Sequence, residues 1–278
     1  MIKLNTRARV IIVSILTAAL YAVQATLDYE TYFNLESKLF SDLLKGAVLG
    51  AFLYIGVFWA LFFKVRGERL ITIMLFPSFG IVALSILLQL ILTSFIGGIG
   101  QIPIFILSLV IIGIFTYINL LSVNILNTSY LQNIPLAQAA KAAIFILSLL
   151  DGFLIFFLLF TNDINILYRI SGVFLTVILL SYISLWSVDM FRSEKLLTAI
   201  ALAVLLTFIA GAISIWPISA PYLALTLTLI FYIFMNISLE MREIISEYIW
   251  LEYAVIFSLI LLLLLLLSEW GINGLLIN

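Results

Sequence analysis

The chain has 278 residues, of which 65% are apolar and 10% charged, and its mean hydropathy is +1.31. A soluble domain carries about 25% charged residues, so a surface this poor in charge needs lipid as most of its solvent. The net charge of −1 argues against nucleic acid as a partner, and the lack of Cys and His removes thiolate and imidazole chemistry, disulfides and the usual zinc, copper and haem ligands.

A bilayer crossing needs roughly 20 apolar helical residues. In chain order, nine stretches meet or approach that length: Val10–Thr26, Gly46–Phe63, Leu70–Phe95, Ile104–Leu126, Ala142–Phe160, Ile166–Ser187, Leu196–Trp216, Tyr222–Ile237 and Tyr253–Leu267. Each is apolar on all sides, and hydrocarbon offers no water to satisfy backbone amides, so each must be a helix. The expected fold class is all-α, a polytopic transmembrane bundle of about nine spans forming one membrane domain over residues 1–278.

The first span follows Lys3, Arg7 and Arg9 and ends near Val23-Gln24-Ala25, a pattern shared with secretory signal peptides. Because eight further spans follow, the first is expected to stay as an uncleaved helix. Between the first two spans, Tyr32, Leu35, Leu39 and Leu43 recur at helical spacing opposite Glu36, Ser37, Lys38, Ser41, Asp42 and Lys45. That pattern predicts an amphipathic helix lying in the membrane interface. Asp28 and Glu30 open the same connection, as the acidic residues of some membrane transferases for lipid-linked substrates do, and a carboxylate there could serve as base. They are the catalytic candidates of an enzyme reading, although few basic residues stand on that side to hold a lipid phosphate.

In the third span Pro77 and Gly80 permit a kink if neighbouring helices shelter the freed carbonyl. Gln89, Asn119 and Asn124 are amides within spans or near their ends, where such side chains glue helices together by interhelical hydrogen bonds. Asp151 is the one ionisable residue deep inside a span. Insertion of a carboxylate at that depth costs about 2.5–3.5 kcal/mol, so such residues face water or the bundle interior and are functional candidates. A protonatable Asp can carry a proton or bind a cation; the plainer reading is an un-ionised acid bonded to another helix. Asn119 is its natural companion, the fourth and fifth spans being consecutive. A transporter predicts a water-accessible cavity reaching Asp151 beside discontinuous helices; a scaffold predicts that it is sealed. Near the C-terminus Glu240, Glu243 and Glu247 share one helical face, which predicts a solvated surface or a docking face for a cytoplasmic partner.

Sidedness follows from the basic residues. With the N-terminus in the cytoplasm, the inner segments hold Lys3, Arg7, Arg9, Lys64, Arg66, Arg69, Lys141, Arg192, Lys195 and Arg242, and the outer ones only Lys38, Lys45 and Arg169. Nine spans then put the C-terminus outside.

Leu75-Phe76-Pro77, Asn124-Ile125-Leu126-Asn127, Ile134-Pro135-Leu136 with Ala139-Ala140, and Ser184-Leu185-Trp186-Ser187 carry a likeness. Together they resemble a family of multi-pass membrane proteins from uncultured small-genome bacteria, the candidate phyla radiation, which has no assigned activity. The resemblance implies only a place in a bacterial inner membrane; separately, no cofactor is expected. The expected function is non-enzymatic, a small-solute permease or a structural component of the envelope, with the lipid bilayer as its partner; the alternative is a membrane transferase acting on a lipid-linked substrate.

Overall fold

A computed structural model describes residues 5–27, 38–61, 68–94, 101–132, 137–162, 164–185, 190–240 and 247–267. Among the described residues there are nine helices and no strands: α1 (Thr6–Thr26), α2 (Lys38–Ala60), α3 (Glu68–Ser94), α4 (Gln101–Gln132), α5 (Ala137–Thr161), α6 (Ile166–Leu185), α7 (Arg192–Ile213), α8 (Ala220–Glu240) and α9 (Glu247–Leu267). The first eight are long and apolar enough to cross a bilayer, while α9 offers a shorter apolar stretch, Leu251–Leu267. Large apolar side chains stand outward along the spans, among them Ile15 at 62%, Ile55 at 68% and Phe208 at 76% exposure, a surface that only lipid can cover. The chain is an all-α, multi-pass membrane protein.

The helices match the expected spans closely with one instructive difference. No separate interfacial helix occupies Lys38–Lys45: those residues are the first turns of α2, continuous with the span that follows. Their apolar face still meets lipid, but their polar face is buried rather than turned to water. Phe40 and Leu43 are 54% and 45% exposed, whereas Ser41 and Asp42 are 2% and 7% exposed. Amphipathicity alone does not say which face meets water. Here lipid takes the apolar face and the bundle takes the polar one. Residues 28–37 lie outside the described residues.

Contacts group the chain into two compact units, Met1–Leu147 and Ser148–Asn278. In the first, α1 packs on α2, α2 on α3, α3 on α4 and α4 back on α1, a closed ring of four helices. Glycines bring α2 close to both neighbours. A Cβ at Gly50 would lie 2.6 Å from Val82 Cγ2 and 3.2 Å from the Ser78 carbonyl oxygen, and one at Gly56 would lie 2.8 Å from Val13 Cγ1. Such small-residue contacts let helices gain dispersion energy in lipid, where no hydrophobic drive joins them. One end of this ring is tied by Arg9, whose Nη1 donates to the Trp59 carbonyl at 3.1 Å while the guanidinium lies 5.0 Å from the Trp59 ring centroid. α3 runs through Pro77 as one helix.

In the second unit α6 packs on α7 and α8, α7 on α8, and α8 on α9. The end of α5 meets α6, because a Cβ at Gly152 would lie 3.3 Å from Leu180 Cδ1 and one at Gly172 2.8 Å from Leu159 Cδ2. Arg169 closes this pair of helices at one end, its Nε donating to the Leu159 carbonyl at 3.1 Å and its side chain lying over Phe160. Tyr253, Ile260 and Leu264 of α9 pack with Ile233 of α8, while its remaining leucines point outward.

Candidate functional site

The first unit turns polar side chains inward from all four helices. On α1 the buried positions Ser14, Thr17, Tyr21 and Gln24 recur at helical spacing and form one stripe. α2 contributes Ser41 and Asp42, α3 contributes Ser78, Ser85 and Gln89, and α4 contributes Ser108, Thr116, Asn119 and Ser122, all less than a tenth exposed. Close contacts set their levels. Gly46 lies against Val82 and Ile86, and Gly50 against Ser78 and Val82. One turn further along α2 therefore brings Asp42 level with Gln89. Between α1 and α4, Ala18 lies by Gly113 and Tyr21 by Ser108, so Ser14 falls level with Thr116. Between α1 and α2, Val13 lies by Gly56, which sets Gln24 one turn below Asp42.

Three levels result. The rim where α1 ends and α2 begins holds Tyr21, Gln24, Ser41, Asp42, Ser85, Gln89 and Ser108. Thr17 and Ser78 lie at mid-depth. Ser14, Thr116, Asn119 and Ser122 lie toward the opposite rim. Buried polar groups thus recur through most of the depth of the ring.

Their bonding separates two kinds. Ser14, Thr17 and Ser78 donate to carbonyls of their own helices at 2.8–2.9 Å, at Val10, Val13 and Met74. Such back-bonds satisfy the hydroxyl hydrogen without joining helices. By contrast both amide atoms of Gln24 and of Gln89, the Thr116 hydroxyl and Asn119 Oδ1 are buried with no hydrogen-bond partner, while the Tyr21 hydroxyl lies beside Ser108. The Asn119 amide nitrogen reaches only the Phe115 carbonyl of its own helix, at 3.0 Å. The expectation that Gln89 and Asn119 glue helices by hydrogen bonds is not met at these atoms. Asn124 is half-buried on α4.

Asp151 belongs to the second unit, Asn119 to the first. Asp151 is fully buried, with neither carboxylate oxygen hydrogen-bonded. A discontinuous helix at this position is the mark of a transporter. α5 runs unbroken through it, and Gly152 beside it is pressed against Leu180. The contacts of α5 with α6 fix the level of Asp151. Ser148 and Ser184 meet across α5 and α6, oxygen to oxygen at 3.3 Å, and Gly152 meets Leu180. The antiparallel step between these contacts puts Asp151 level with Ser181. The Ser181 hydroxyl is also fully buried and also unpartnered. Asp151 and Ser181 do not face one another: with Ser148 opposite Ser184 and Gly152 opposite Leu180, the helical step of about 100° per residue turns them to opposite flanks of the α5–α6 contact. Arg169, the basic residue of α6, is twelve residues from Ser181, about 18 Å along the helix, too far to pair with Asp151.

The remaining candidates give less. Asp28, Glu30 and Glu243 lie outside the described residues; Glu240 ends α8 and Glu247 begins α9. Among the described residues there is no cluster of three acidic side chains able to hold a metal. Two grooves on the lipid-facing surface, between α1 and α4 and between α6 and α7, have almost wholly apolar walls. Comparison with protein-family models, with curated proteins and with solved structures finds no match.

Proposed function

We propose that this membrane protein is a permease for small, uncharged, hydrogen-bonding solutes, with the interior of the α1–α4 ring as its passage. The observation that carries this reading is the set of buried polar atoms there without partners: the Gln24 and Gln89 amides, Thr116 Oγ1 and Asn119 Oδ1. Each costs about 1–3 kcal/mol when buried unbonded, and a scaffold gains nothing from bearing that cost several times in one bundle. A passage does gain, because a solute's hydroxyls or amides take up these groups in turn. The lining consists of hydroxyls and carboxamides apart from Asp42 at one rim, which suits neutral solutes over ions. Tyr21, Thr116 and Asn119 are at most 1% exposed, so passage requires the helices to part, and the smooth glycine contacts of α2 allow sliding of that kind. The basic-residue bias supports a cytoplasmic N-terminus, which sets the rim of Tyr21, Gln24 and Gln89 on the outer side, and the family resemblance supports a bacterial inner membrane.

The absence of native cysteine permits a clean test. Thiols introduced by Thr17→Cys, Gln24→Cys, Thr116→Cys and Ser122→Cys are expected to react with a membrane-impermeant, water-soluble thiol reagent in proteoliposomes. Those introduced by Ile15→Cys and Ile55→Cys on the lipid face are expected to stay unreacted. Liposomes bearing the protein should also re-swell faster than empty ones after a glycerol or urea shift. Interior thiols as inert as the lipid-facing ones, together with unchanged swelling, would sink the passage.

A further inference from the structure

We infer that the passage through the α1–α4 ring is shut by an apolar gate of two side chains, Leu53 of α2 and Ile112 of α4. The gate rests on the passage proposed above and locates where it closes. Close contacts put four residues, one from each helix, on one level. Val13 lies by Gly56, so along these antiparallel helices Thr17 falls beside Leu53. Gly50 lies against Ser78 and Val82, which brings Ser78 to the same height. Ala18 lies by Gly113, so Ile112 falls beside Thr17. The four stand within one helical turn, about 5 Å.

Helical steps of about 100° per residue fix which way the two apolar chains point. Gly56 faces α1 and Gly50 faces α3. Leu53 is three residues from each, so it points midway between those neighbours, toward the inside of the ring. Ile55, two residues on and hence on the far side of α2, is exposed to lipid. Ile112 shares one face of α4 with Ser108, Thr116 and Asn119, while Val110 and Ile114, two residues either way, are exposed on the opposite side. Leu53 and Ile112 are themselves fully buried. Because α2 and α4 are opposite members of the ring, the two chains approach its axis from opposite sides.

The polar neighbours on this level offer a solute little. Thr17 and Ser78 donate their hydroxyl hydrogens to the Val13 and Met74 carbonyls of their own helices, at 2.8 and 2.9 Å. To one side lie the unpartnered amides of Gln24 and Gln89, and to the other the unpartnered atoms of Thr116 and Asn119. An apolar constriction between two polar stretches gates by expelling water. A neutral solute therefore crosses only while α2 and α4 stand apart.

The test is glycerol-driven re-swelling of proteoliposomes bearing the full-length protein. Leu53→Ala and Ile112→Ala are each expected to re-swell roughly tenfold faster than wild type, the change for a barrier lowered by about 1.4 kcal/mol. Ile112→Val, which keeps the test decisive if the alanine variants fail to assemble, should re-swell roughly threefold faster, one methylene being lost. Phe76 is also fully buried, but it lies two residues from Ser78 and so on the far side of α3 from the axis. Phe76→Leu should therefore re-swell at the wild-type rate. Gate variants that match a wild type faster than empty vesicles would overturn the gate and leave the passage standing. Acceleration by Phe76→Leu as large as by the gate variants would also overturn it, since loosening the bundle anywhere would then suffice. Wild type and gate variants all as slow as empty vesicles would remove passage and gate together.

Discussion

The two units of this chain handle polar groups in opposite ways. In the first, polar side chains come from four helices and spread along the depth of the ring, at Tyr21 and Gln24, at Thr17 and Ser78, and at Thr116 and Asn119. In the second, the buried polar side-chain atoms without partners among the described residues belong to Asp151 of α5 and Ser181 of α6, at one level of the bundle. Thr176 and Thr228, also buried there, bond back to Gly172 and Ala224 of their own helices at 2.7 and 2.8 Å. Equal hydrophobicity outside thus conceals a distributed polar axis in one unit and a point in the other. An extended axis suits something that moves along it.

The largest expected effect probes the packing that holds the axis. Gly50→Leu should prevent α2 and α3 from pairing, seen as loss of monodisperse protein, since even a Cβ there meets Val82 at 2.6 Å and the Ser78 backbone at 3.2 Å. Gly50→Ala should cost about 1–3 kcal/mol in thermal unfolding. Gly172→Ala in the second unit should cost less, because the atoms it meets are the terminal carbons of Leu159, which can swing aside. Equal costs would mean that both contacts are equally rigid.

Next come the unpartnered amides. Gln24→Leu and Gln89→Leu should each raise unfolding stability by about 1–3 kcal/mol, as a buried group without a bond is removed, while slowing the swelling of glycerol-shifted liposomes. A fall in stability would return these residues to the role of helix glue and erase the contrast between the units.

Smaller effects are expected where the units resemble one another. Each closes a helix pair with an arginine donating to a carbonyl, Arg9 to Trp59 and Arg169 to Leu159, both at 3.1 Å. Arg9→Ala and Arg169→Ala should each lower stability by about 1 kcal/mol, from one partly exposed charged hydrogen bond and a cation–π contact. Ser184→Ala, which removes one interhelical contact between hydroxyls, should cost about 0.6 kcal/mol, the average for such bonds in membranes. A drop of several kcal/mol there would mark the Ser148–Ser184 contact as a structural clasp.

Much of the architecture was legible before any coordinates. Long runs without charge can only be helices in lipid, so the positions of the spans follow from backbone chemistry, and α1, α6 and α8 fall within a few residues of their expected limits. The second helix shows where such reading stops. The segment Lys38–Lys45 has a genuine apolar face, which meets lipid as expected, and a genuine polar face, which packs into the bundle where an interfacial helix would turn it to water. The same limit governs the candidate sites. Asp151 stands out in sequence because an ionisable group in a span is rare. Ser181 does not, because serine is common there and only its level, shared with Asp151, distinguishes it. Tyr21, Gln24 and Thr116 were likewise passed over, although the spacing of Ser14, Thr17, Tyr21 and Gln24 on one face of the first span was a signal available to be read.

By itself the sequence determined that this chain is a set of helices in a membrane, because every apolar stretch must satisfy its own amides wherever it lies. Which helices touch, which face each one turns inward, and which polar atoms meet a partner were decided only by tertiary packing. Those depend on contacts such as Gly50 with Val82 and Gly152 with Leu180, between residues whose separation in the chain carries no trace of their closeness.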